Sequence, residues 1–113
     1  MEWLNDVSYF FGGVFLTNAL PHLIAGLMGQ PLQSPFAKPP GEGYSSSRVN
    51  ACWGFFNLVV AYLLLVQVGH FDIHSLQHVL AFAVGSLLIA VQTSGHFGKF
   101  NGGNHPENRK ASK

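Results

Sequence analysis

The sequence predicts an all-α membrane protein of three transmembrane helices, and three observations predict it. Charged residues make up only 10% of the chain, far below the roughly 25% of a soluble globular domain. Val7 to Met28, Val49 to Val68 and Ser75 to Gly95 contain no Asp, Glu, Lys or Arg. Each stretch matches the about 20 residues that cross a hydrocarbon core of about 30 Å. All six Lys and Arg fall on one side of these stretches: Lys38 and Arg48 after the first, and Lys99, Arg109, Lys110 and Lys113 after the third. Cytoplasmic loops carry the excess of Lys and Arg. The pattern therefore predicts a multi-pass inner-membrane protein with its N-terminus outside and its C-terminus in the cytoplasm. A soluble bundle would need a polar face on every helix, and Leu58 to Val66 offers none.

Helix 1 is expected over about 7–28, running inward. Glu2 and Asp6 stand where a signal peptide would carry basic residues, and no small-residue cleavage site follows, so a retained helix is expected. Pro21 is expected to kink it by freeing the Thr17 carbonyl. The link, 29–48, holds Pro31, Pro35, Pro39, Pro40, Gly41 and Gly43. That density of breakers excludes a helix and predicts a long, extended, Pro-rich cytoplasmic link. Such a link is long enough that helix 1 need not neighbour helix 2. Phe36 and Tyr44 are expected to lie along the bilayer surface.

Ser45, Ser46 and Ser47 are N-cap candidates for helix 2, about 49–68. The turn from Gly69 to His74 is short, so helices 2 and 3 are expected to form an antiparallel hairpin. Asp72 or Ser75 caps helix 3, about 75–95, and 96–113 form a cytoplasmic tail, all within a single domain, 1–113. Trp3, Tyr9 and Phe10 at the outer boundary and Trp53 and Phe97 at the inner one match an interfacial aromatic belt. The lone Cys52 has no intrachain disulfide partner, and near the cytoplasmic face it stays reduced.

Polar residues inside a bilayer are costly and face protein rather than lipid. Helix 1 carries Asn18, His22 and Gly26 four apart on one face. Helix 2 carries Asn50 and Asn57, and helix 3 carries His78, Gly85 and Gln92, both sets spaced by seven. Seven-residue spacing keeps a stripe toward a partner helix. Depth sorts these residues into an inner cluster of Asn18, His22, Asn57 and Gln92, with Asn50 and His96 near the inner interface. An outer group comprises His70, Asp72, His74 and His78. The inner cluster has two readings. The favoured one is interhelical hydrogen bonding. The other is a polar site for a proton, a small solute or a quinone headgroup, with His22 exchanging protons near neutral pH.

In the outer group, His74 and His78 are co-facial and Asp72 lies beside them, so these three are the candidate metal ligands. The set is short unless Asp6 or a second subunit contributes. A bis-histidine haem needs two imidazoles at one depth, and His22 and His78 lie at different depths. No cofactor is predicted; metal and haem are minor readings. Classical catalytic patterns are missing, which disfavours an enzyme, and nothing resembles a nucleic-acid-binding stripe. The expected partners are bilayer lipid and either further copies of the chain or other membrane subunits. The leading expectation is a non-enzymatic, self-associating or accessory subunit of a membrane complex. The alternative is an oligomeric transporter, or a cofactor- or metal-handling membrane protein, using Asn18, His22, Asn57 and Gln92.

Three runs carry a resemblance: Asn18-Ala-Leu-Pro21-His22, Gln33-Ser-Pro35-Phe36-Ala-Lys38-Pro-Pro-Gly41 and Asn50-Ala-Cys-Trp53-Gly-Phe-Phe-Asn57-Leu. They resemble uncharacterised small bacterial multi-helix integral membrane proteins. That resemblance implies a helical inner-membrane protein and brings no activity and no catalytic residues with it.

Overall fold

The computed structural model describes residues 2–108. The chain forms α1 (Glu2–Leu27), β1 (Leu32–Gln33), β2 (Tyr44–Ser45), α2 (Ser47–Tyr62) and α3 (Leu76–Asn101). The end of α2 widens into a π-helical turn, Leu63–Val68, and a 3-10 turn, Pro106–Asn108, follows α3. Three residues of the basic tail, Arg109, Lys110 and Lys113, lie outside the described residues.

Local chemistry sets the helix ends. Ser46 caps α2 by accepting from the Val49 N–H, and Ser75 caps α3 by accepting from the His78 N–H. Each satisfies a donor that the first helical turn leaves without an intrahelical partner. At the other end of α3, Gly102 adopts a left-handed φ of 88° and returns its N–H to the Gly98 carbonyl. Glycine takes that conformation without a Cβ penalty. Helix 3 therefore continues past Gly95 to Asn101. Helix 1 passes through Pro21 as one continuous helix.

Burial is inverted relative to a soluble protein. The largest fully buried side chains are Tyr9, Gln33, Asn50, Asn57 and Ser34, while Phe55, Leu87 and Val91 are 60%, 64% and 65% exposed. Water-soluble cores do the opposite. Lipid as solvent accounts for it, because apolar side chains lose nothing facing hydrocarbon whereas polar groups must be satisfied inside the protein. All three helices are long and apolar enough to cross a membrane. The molecule is a three-helix bundle of multi-pass membrane character.

The expected antiparallel hairpin of helices 2 and 3 is not what forms. Helix α1 packs along both α2 and α3, and those two scarcely meet. Glycines explain why. Gly26 of α1 lies against the backbone of Ser47 and Ala51, and a Cβ on Gly54 of α2 would sit 2.6 Å from the Leu23 nitrogen. Toward α3, Gly13 lies against the Phe82 carbonyl and Gly85 against the Phe10 carbonyl. Small residues let helix backbones approach closely where no hydrophobic force drives association. Tyr9 completes the separation: its hydroxyl donates to the Gly69 carbonyl, and its ring packs on Phe71 and His78 with centroids 5.4 and 4.3 Å away. The turn is short, but α1 stands between the helices it joins.

The second correction concerns the link, which is neither extended nor free. β1 and β2 pair antiparallel, Leu32 with Ser45 and Gln33 with Tyr44. The Ser34 carbonyl accepts from the N–H groups of Ala37 and Gly41, and the Ser34 and Ser45 hydroxyls are 2.6 Å apart. His96 of α3 donates from Nε2 to the Gly41 carbonyl at 2.6 Å. Prolines exclude a helix, but they leave room for a ladder of two residues whose N–H groups are intact. The link is thus a folded cap over one end of the bundle, tied to α2 and α3, and α1 does neighbour α2.

Candidate functional site

Beneath that cap lies a cavity of about 290 Å³. All three helices and the cap contribute to it. Asn18 and His22 come from successive turns of α1, Gln33 and Ser34 from the cap, Trp53 from α2, and Gln92, His96 and Phe97 from α3. His22 stands edge-on to Trp53 and Phe97, with ring centroids at 6.4 and 5.9 Å. Its side chain is buried.

Asn50 determines the state of His22. The amide nitrogen of Asn50 lies 3.1, 3.2 and 3.0 Å from the carbonyls of Leu32, Ser45 and Ser46. Carbonyls only accept, so this atom is the NH₂ group, and the amide oxygen faces His22. The 2.7 Å contact between that oxygen and His22 Nδ1 is therefore a bond donated by Nδ1–H. In the neutral ring, Nε2 then carries the lone pair. Asn50 thus performs two tasks. It pins the cap to the bundle and fixes the tautomer of the histidine lining the cavity.

A second amide chain runs alongside. Asn18 donates from Nδ2 to Asn57 Oδ1 at 3.1 Å, and Asn57 donates to the Trp53 carbonyl at 2.7 Å. Asn57 is fully buried and lies behind the cavity wall, where it holds Asn18. Gln92 lines the cavity from α3 as an exposed side chain.

Around this cavity several polar atoms have no partner among the described residues. Gln33 Oε1 and Trp53 Nε1 are buried and unpaired, and no protein group bonds His22 Nε2. An unsatisfied buried donor or acceptor costs about 1–3 kcal/mol, so such groups are few in native folds and call for a physical reason. Two such buried atoms, Gln33 Oε1 and Trp53 Nε1, thus sit on residues that line one cavity, beside the open acceptor of a neutral His22 ring.

Of the four residues expected in the inner cluster, Asn18, His22 and Gln92 line the cavity and Asn57 lies beside it. Sequence reasoning does not place Gln33, Ser34 and Trp53 in the site. A signal for Trp53 does exist, because Asn50, Trp53 and Asn57 fall at helical spacings of three and four and so share one face of α2. Gln33 and Ser34 give no comparable signal, since their burial depends on the cap's fold.

The outer group is organised differently. Asp72 Oδ1 accepts from the His74 N–H at 2.9 Å, and His78 Nδ1 accepts from the Asp72 N–H at 3.0 Å. These contacts build the turn that precedes α3. Among the described residues, no group of three or more His, Cys, Asp or Glu is placed to hold a metal ion. His22 lies at the cap end and His78 beside Tyr9 at the other.

No family model matches the chain, no curated protein matches it, and no solved structure matches its fold. Of the resemblance drawn from the sequence, the structure shows the coarse part, a three-helix bundle with long apolar helices.

Proposed function

We propose that this chain is a small multi-pass membrane protein that binds a polar organic ligand or cofactor within the bilayer, in the cavity beside His22. One observation carries the reading: three residues that line a single cavity, His22, Gln33 and Trp53, each keep a polar atom without a protein partner among the described residues. Polar residues kept for helix packing alone would bond to one another, as Asn18 and Asn57 do. An accessory subunit held together by those residues has no use for the unpaired ones. A second reading has its own support. A histidine that donates Nδ1–H to a carbonyl has the arrangement typical of metal-ligating imidazoles, so His22 Nε2 would be the atom to hold a metal-containing cofactor, for which the cavity of about 290 Å³ would have to widen.

The orientation read from the charges belongs to this proposal. Lys38, Arg48 and Lys99 gather at the cap end, whereas Glu2, Asp6 and Asp72 mark the other. Positive-inside bias then supports a cytoplasmic cap and an outer N-terminus, with the cavity in the inner half of a bacterial inner membrane. The deciding experiment is purification from native membrane in mild detergent, with mass spectrometry of the extract and a visible spectrum. The expected result is a small organic molecule released by the wild type and missing from His22→Leu; a Soret band would select haem. A ligand-free wild type, coupled with loss of assembly in His22→Leu, would return the residue to a packing role.

A further inference from the structure

The same cavity defines the ligand's chemical class, provided that it is the binding site proposed above. Four observations bear on it. Its lining contains no Asp, Glu, Lys or Arg among the described residues, so an anionic or cationic group would enter without a counter-charge, at high cost. The walls include the rings of Trp53 and Phe97, with His22 edge-on to both. At about 290 Å³ the space lies at the lower end of the about 300–1,000 Å³ usual for small-molecule pockets, enough for one ring. Three of its walls are helices that are long and apolar enough to cross a membrane, and the cap closes it. These features select a neutral, lipid-soluble, single-ring ligand.

Hydrogen bonding narrows the class. Trp53 Nε1–H is a donor and requires an acceptor on the ligand. Neutral His22, with Nδ1–H committed to Asn50, offers only the Nε2 lone pair and requires a donor. The Gln33 amide turns to suit either partner. We infer that the site takes a quinol, the reduced hydroquinone form of a lipid-soluble quinone, and prefers it to the oxidised form. Each quinol hydroxyl donates and accepts, so His22 and Trp53 are both satisfied. A quinone carries carbonyl acceptors alone and leaves His22 Nε2 unpaired. The preference therefore resides in His22, and Trp53 serves both forms equally.

The probe is an alkyl-tailed benzoquinone–benzoquinol pair, titrated in vesicles holding excess full-length protein at mildly alkaline pH, where an imidazole is neutral. Empty vesicles provide the reference for partitioning. One unmade hydrogen bond predicts about tenfold tighter binding of the quinol, which raises the midpoint potential of this two-electron pair by about 30 mV. In Trp53→Phe both forms should weaken by a similar factor and keep the preference. In His22→Leu the preference should vanish. Equal binding of the two forms, or tighter binding of the quinone, overturns the inference and leaves the polar site standing. Binding of neither form also overturns it. In that case a different molecule extracted from native membrane and lost in His22→Leu would preserve the site, and its absence would remove both.

Discussion

The two ends of the bundle are built from similar residue types and do opposite things with them. At the cap end, Asn50, His22, Gln33 and Ser34 are buried together, and part of their hydrogen-bonding capacity is left over. At the turn end, Asp72, His74 and His78 stay near the surface, and the Asp72 and His78 side chains accept from the backbone N–H groups of His74 and Asp72. The hydroxyls buried there are taken as well, that of Tyr9 by the Gly69 carbonyl and that of Ser8 by the Leu64 carbonyl. Histidine and amide content alone does not distinguish a site from a scaffold. What distinguishes them is whether buried polar atoms remain unpaired around a common space.

Substitutions at the two ends test that difference. The largest effect is expected for Asn50→Leu. It strips the cap of its anchor, leaves the carbonyls of Leu32, Ser45 and Ser46 short of a donor, and frees the His22 ring. Several coupled losses of about 1–3 kcal/mol each should lower the unfolding free energy in detergent by about 3 kcal/mol or more. The same variant should open residues 29–46 to protease. An unchanged digestion pattern would show that the cap holds by other means.

Next comes Gly85→Leu, which drives a side chain into the Phe10 carbonyl. Overpacking costs about 1–3 kcal/mol, and here it should loosen α3 from α1 while the α1–α2 contact stays intact. Disulfide trapping between cysteines introduced across each pair reads the two contacts separately. Tyr9→Phe should cost less, about 0.6–1.7 kcal/mol for one intramembrane hydrogen bond, and should leave ligand binding at the cap end unaffected. His74→Ala, at an exposed position whose side chain bonds nothing among the described residues, should fall within about 0.5 kcal/mol. A larger loss there, together with added zinc stabilising the wild type and not the variant, would revive the metal reading of His74, His78 and Asp72.

The sequence made legible whatever depends on one segment at a time. Three uncharged stretches announce three spans. Ser46 and Ser75 are cap residues in the expected places, and the spacing of Asn18, His22 and Gly26 marks a contact face. Features that depend on two segments at once are harder to read. Gly13 and Gly85 give no hint of each other in sequence, so nothing along the chain says that α1 stands between α2 and α3. The short turn from Gly69 to His74 points the other way, because loop length limits distance but does not forbid a third helix from entering. The prolines of the link mask a cap whose stability comes from Asn50 and His96, residues on other elements. Gln33 joins the site only through that cap, and this is why the sequence shows the site as four residues on three helices.

One consequence of the central position of α1 concerns synthesis. The ribosome delivers α1 before either of the helices that lean on it, so α2 finds its glycine-lined partner waiting in the membrane as it arrives. The cap is made in between, and Asn50, which pins it, follows directly on α2. When α3 follows, it docks on a surface already assembled and contributes the last wall of the cavity, along with the His96 latch on Gly41. Each step is local and none must be undone by the next, so assembly can keep pace with translation.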